Sequence, residues 1–171
     1  GLTTLHASED GAAAMALGQR VVAMRAGRIA QAGTPALLYA RPESVFVARA
    51  LGSPPMNLLP AEVQGGAVWF GEVGFAHLDR PDGTRLELGV RPEHFGLCAP
   101  GESPLRGAVV LVETLGDRAF AHVEVLRGRE RFTLVAAADP SGPPEPGESV
   151  GIDMAPGKEH LFDAEGRRIA R

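Results

Sequence analysis

The chain has 171 residues, 44% of them hydrophobic and 22% charged, which describes a globular protein able to bury a core. A net charge of −4 argues against general nucleic-acid binding, because phosphate contact needs a basic surface, and a single Cys excludes an internal disulfide and a Cys-rich zinc site. The 22 Gly and 14 Pro favour short strands and turns over a helix bundle, and no apolar run approaches the ~20 residues of a spanning helix. These features predict a soluble, cytoplasmic, β-rich protein. In chain order, GLTTLHAS (1–8) reads as a short strand, and Ser8, Glu9 and Asp10 supply cap chemistry for a helix over 10–18 that Gly18 ends. RVVAM (20–24) and RIAQAG (28–33) flank Arg25-Ala26-Gly27 as a hairpin. Thr34-Pro35 opens a second helix, which runs to about Ala40 because Pro suits the first helical position. ESVFVARAL (43–51) gives a third helix, terminated by Gly52-Ser53-Pro54-Pro55.

After residue 60 the chain changes character. AEVQ and AVWF are separated by Gly65-Gly66, a two-residue hairpin signal, and VGFAHL and TRLELGV follow around a turn at Pro81-Asp82-Gly83. RGAVVLVET (106–114) has a continuous apolar centre, which predicts a strand covered on both faces. RAFAHVEVL (118–126) alternates, with Ala119, Ala121, Val123 and Val125 on one face. RFTLVA (131–136), a Pro-rich loop over 139–147, ESVGIDM and EHLF complete the pattern. Strands this short and numerous suggest small barrels, and two in tandem fit the spacing. Charge divides at the same point: residues 1–60 carry five Arg against three acids, whereas residues 61–171 carry 12 basic and 18 acidic groups.

Catalytic signatures are missing. There is no GxxxxGK[ST] loop to cradle a triphosphate, no GxSxG elbow, no HExxH and no CxxC. The five His never adopt metal-ligand spacing, and His77 and His122 sit in strand patterns as ordinary structural residues.

What is present is a set of short motifs in a fixed order. GRI-x-Q-x-GTP, LY-x-RP, VA-x-x-LGSPPMN and LPAEV follow one another without gaps over residues 20–63. This stretch resembles the end of the ATP-binding subunit of carbohydrate-type ABC importers, those of the maltose and glycerol-phosphate kind. GVRPEH (89–94), LVETLGD (111–117) and GKEHLFDAEGRRI (157–169) are similar to that family's C-terminal accessory region, the TOBE region, with its OB-like barrels. The resemblance implies a mainly β fold: an OB-like (TOBE) small β-barrel region preceded by an α/β remnant of an ABC ATPase domain. It places the remnant and its linker at 1–57 and the TOBE/OB-like regulatory domain at 58–171.

The resemblance also carries expectations about function. It implies a C-terminal accessory and regulatory portion of a subunit that couples ATP hydrolysis to import of a sugar or related solute. No catalytic, cofactor-binding or metal residue is expected in this portion, ATP and Mg belonging to the parent protein. The implied partners are a second copy of the subunit and integral-membrane permease subunits, with no nucleic acid, at the cytoplasmic face of the cell membrane. Gapless extension from Met15 puts Glu9 where the family has the switch His that contacts the ATP γ-phosphate. A carboxylate cannot donate a hydrogen bond to phosphate and repels it, so the extension implies a weakened ATP site. His6 lies three residues early, on the other face of a strand, and does not inherit the role.

Arg91, Glu93, His94 and Asp117 are the candidate interdomain or dimer contacts. The bare residues allow a simpler reading, in which Pro92 makes RPEH a turn and Gly116-Asp117 is hairpin chemistry. Strands at 2–8, 20–24 and 28–33 would normally join a larger sheet. Their unpaired edges predict that residues 1–33 are disordered, repacked on the barrel or paired with a second copy. Two other functions compete. A small-ligand (oxyanion or sugar) sensor is the alternative, and a single-stranded nucleic-acid binder ranks last for want of a basic aromatic groove.

Overall fold

The computed structural model describes residues 1–170. Its first part is a small helix-and-hairpin unit. Helix α1 (Gly11–Leu17) is capped by Asp10, whose carboxylate accepts hydrogen bonds from the Ala12 and Ala13 amides. Strands β1 (Val21–Arg25) and β2 (Arg28–Gly33) form an antiparallel hairpin, with Ala26 and Gly27 at positive φ in its turn. Helices α2 (Pro35–Ala40) and α3 (Val45–Ala50) follow, capped by the hydroxyls of Thr34 and Ser44. Gly11 lets α1 approach α3: a Cβ there would lie 1.9 Å from the Ala50 carbonyl oxygen. Val21, Leu38, Val47 and Leu51 make the core of this unit.

The expectations for this part are only partly met. Residues 1–8 form no strand and are exposed, because no neighbouring strand takes up their backbone groups. The 21–33 hairpin is ordered, yet it neither packs on the barrel nor joins a larger sheet. Its Val21 and Gln31 point inward, and Gln31 holds the α2–α3 connection by donating to the Arg41 carbonyl and accepting from the Glu43 amide. Val22, Met24 and Ile29 remain 46%, 58% and 65% exposed on the other face.

The β region is one closed barrel and one open sheet. The open sheet has the order β12-β6-β3-β4-β5 and is built from β3 (Asn57–Gln64), β4 (Ala67–Phe70), β5 (Val73–His77) and β6 (Arg85–Val90). Its last strand, β12 (His160–Phe162), returns from the chain's far end to pair with β6. The barrel is closed in the order β10-β7-β11-β8-β9 by β7 (Phe95–Cys98), β8 (Arg106–Leu115), β9 (Arg118–Arg127), β10 (Glu130–Ala138) and β11 (Ser149–Met154). A single 3₁₀ turn, Pro92–His94, leads from β6 into β7. Instead of two separate barrels, sheet and barrel share one core, in which Leu59, Val63, Val68 and Leu88 join Phe95, Val109, Val123 and Leu134. Asn57 ties the two at their junction, its amide donating to the Val135 carbonyl and accepting from the Val135 amide, both at 2.8 Å.

Strand β9 follows its alternation, with Ala119, Ala121, Val123 and Val125 all buried. Strand β8 does not read as expected. A bulge interrupts its pairing with β9 between Val109 and Leu111, so Val109 points inward while Val110 and Leu111 are 49% and 48% exposed. Its apolar run therefore lies on a barrel wall with one face open.

A buried arginine joint between the helical unit and the β region

The RPEH turn is where the two parts of the molecule meet. Arg91 is 1% exposed and stands at the head of the 3₁₀ turn, with its side chain directed into the helical unit. Its Nη1 donates to the carbonyls of Ala48 and Leu51, at the end of α3, and its Nη2 donates to the Tyr39 carbonyl near the end of α2, at 3.1 Å. The guanidinium carbon lies 3.8 Å from the centre of the Tyr39 ring, a cation–π stack. These carbonyls have no onward helical partners, so one guanidinium caps two helices whose negative dipole ends converge on it. Burial pulls the Arg91 pKa below its usual value, opposed by the Tyr39 phenol and the Glu93 carboxylate.

Glu93 is exposed and closes the joint from outside, accepting a short hydrogen bond from the Tyr39 hydroxyl. Burial, then the bond to Glu93 and the Glu93 charge, push the Tyr39 pKa up to about 12. Gly52 makes room for the stack. Its φ is +114°, and a Cβ there would lie 2.9 Å from Arg91 Nη1 and 3.2 Å from Tyr39 Cε2.

The other candidates are placed differently. His94 is half-buried beside Glu93, and its backbone closes the turn by donating to the Arg91 carbonyl. Burial lowers its pKa, with Glu93 acting against that and Lys158 and Arg91 with it. Asp117 projects from the β8–β9 turn, 93% exposed and 3.9 Å from Arg118 Nε. The neighbouring Arg118 charge acts to lower the Tyr39 pKa, against burial and Glu93. Glu9 precedes the α1 cap and is exposed, and it is not brought to the other four. Sequence reasoning missed Tyr39 and Gly52. The only available signal was their place inside the LY-x-RP and LGSPPMN motifs, since a contact from residue 39 or 52 to residue 91 has no local periodicity.

Among the described residues no group of His, Cys, Asp and Glu could hold a metal ion, and no helix is long and apolar enough to cross a membrane. The only Lys, Lys158, follows the Pro156-Gly157 turn and does not stand behind a Gly-rich loop. These residues do not fit Mg–ATP. The joint is buried and multiply bonded, and it ties the helical unit to the β region.

Fold and site together thus define an accessory β module fastened to a helical unit. Comparison with known proteins gives its relatives. The TOBE domain profile matches residues 88–162 and the MalK OB fold domain profile matches residues 52–95. The sn-glycerol-3-phosphate import ATP-binding protein UgpC of Cereibacter sphaeroides is 40% identical over 170 residues, covering 98% of this chain and 47% of its own length. The sulfoquinovosyl glycerol transport ATP-binding protein SmoE of Agrobacterium fabrum is 37% identical over 172 residues, covering 96% of this chain and 47% of its own. The lactose transport ATP-binding protein LacK of Rhizobium radiobacter is 33% identical over 180 residues, covering 98% and 49%. The chain carries the TOBE and MalK OB fold domains, and the relatives it matches are ATP-binding proteins of sugar and glycerol-phosphate importers. It spans about half the length of the curated relatives it matches.

Proposed function

We propose that this chain is the regulatory and accessory portion of an importer's ATP-binding subunit, in which ATP hydrolysis drives uptake of a sugar or related solute. The portion itself is non-catalytic. Residues 1–57 are the end of the ATPase domain with its linker, and residues 58–171 are the regulatory domain. ATP and Mg are held by a part of the subunit outside these residues. The working form is a homodimer on permease subunits at the inner face of the membrane, and Arg91, Glu93, His94 and Asp117 serve contacts between domains or subunits. The observation that carries this reading is the continuous match along 98% of the chain to UgpC, a subunit whose name records both import and ATP binding. The exposed apolar face of the β1–β2 hairpin supports it, as a surface made to be covered by the rest of such a domain.

The test is direct. The chain alone, incubated with Mg–ATP, releases no phosphate above buffer, and turnover by the isolated chain sinks the proposal. In the complete subunit, Glu9 stands where a phosphate-contacting His serves, and Glu9→His raises ATP turnover. An unchanged rate there removes Glu9 from the ATP site and leaves the rest of the reading standing.

A further inference from the structure

We infer that Arg91 is a latch on which the order of the α2–α3 unit depends, so that the unit can be released as a block while sheet and barrel stay folded. This rests on the geometry of the chain and not on the import reading. Helices α2 and α3 have six residues each, too short to stand without tertiary support. Four of the tethers between this unit and the β region are visible. At the C-terminal turn, the Val45 amide donates to the Gly166 carbonyl and the Arg168 amide to the Glu43 carbonyl. A small apolar contact joins Ala48, Met56 and Phe162. The Arg91 side chain supplies the fourth, and it alone reaches the ends of both helices.

The main apolar core does not cross this boundary. Its members come from the sheet and barrel, with Ile169 from the C-terminal tail at its edge, and none lies before Leu59. The helical unit has its own core of Val21, Leu38, Val47 and Leu51. Two cores joined by a few hydrogen bonds and one small apolar contact can separate at lower free energy than either can melt, which is the physical requirement for a releasable unit. The linker is shaped around the latch, because Gly52 is the position at which any Cβ would press on both Arg91 Nη1 and the Tyr39 ring. Tyr39 and Glu93 brace the guanidinium from the solvent side.

Hydrogen exchange of the complete chain, followed by mass spectrometry, tests the latch. Arg91→Met keeps much of the side-chain volume and removes every guanidinium bond. Its expected effect is at least tenfold faster exchange of the amides in 35–51, with the β8–β10 amides unchanged. Arg91→Lys, which keeps the charge and one donor position, restores part of the protection. Arg91→Gln, made in parallel, keeps a polar side chain too short to reach all three carbonyls, produces the same regional pattern, and decides the matter if Arg91→Met does not fold. Unchanged exchange over 35–51 in the variants overturns the proposal. So does equal loss of protection in the barrel, since Arg91 would then be supporting the β region itself.

Discussion

Tyr39 shows how a side chain takes its chemistry from neighbours far along the chain. Its hydroxyl is held by Glu93 and its ring by Arg91, and burial with the adjacent carboxylate raises its pKa to about 12. It is the only Tyr, so phenolate absorbance reports it without interference. The folded chain is expected to titrate near 12 and the unfolded chain near 10.0. Because the folded value is the higher, this residue's stabilisation is complete below the unfolded value and drains away as pH rises between the two. Tyr39→Phe removes that alkaline loss. Asn57 makes the complementary case for a neutral group. It is 7% exposed, and its amide satisfies both backbone groups of Val135 across the sheet–barrel junction. Asn57→Leu leaves a buried donor and acceptor unpaired, at about 1–3 kcal/mol each, and urea denaturation should show a lower midpoint with an unchanged slope.

Among the elements, β8 shows how a local irregularity changes what a sequence pattern means. Five consecutive apolar residues suggested a strand covered on both sides. The bulge near Val110 turns part of that run to the outside of the barrel, and no second layer lies over it. Leu111→Lys should therefore change stability by no more than about 0.5 kcal/mol, whereas a doubly covered strand would lose several. Close packing lies instead at Gly107, where a Cβ would come within 2.1 Å of the Glu124 carbonyl oxygen on β9. Gly107→Ala should cost about 1–3 kcal/mol or more, while Gly96→Ala, facing open space, serves as the control. Thermal denaturation followed by circular dichroism reads both.

For the whole molecule, acid stability is expected to fall in two stages. Burial holds the His94 pKa below its ordinary 6.5, so the unfolded chain takes up a proton there first, and stability declines as pH drops through that value. The carboxylates of Asp163 and Asp139 are held below their ordinary 3.8, chiefly by a hydrogen bond from the Arg167 amide in one case and from the Ser141 hydroxyl in the other. Their contribution is present above that value and is lost as pH falls below it. Chemical denaturation at a series of pH values should show the first stage vanish in His94→Gln and the second persist. The Trp69 indole, on β4, gives a probe in the open sheet for both stages.

Much of this architecture is decided within a few residues and was legible for that reason. The helix start at Thr34-Pro35, the positive-φ glycines in the β3–β4 and β8–β9 turns and the alternation of β9 all act over short range. The motif order that marks the family is likewise a property of the linear chain, and Arg91, Glu93 and His94 were found through it. Tertiary structure alone decided the rest. The absence of a strand over 1–8, the fusion of sheet and barrel into one core and the return of β12 to β6 depend on which backbone groups meet across the fold. The direction in which Arg91 points has the same origin, because a buried guanidinium goes where unpaired carbonyls converge. Those carbonyls belong to Tyr39, Ala48 and Leu51, at least 40 positions before Arg91 in the chain.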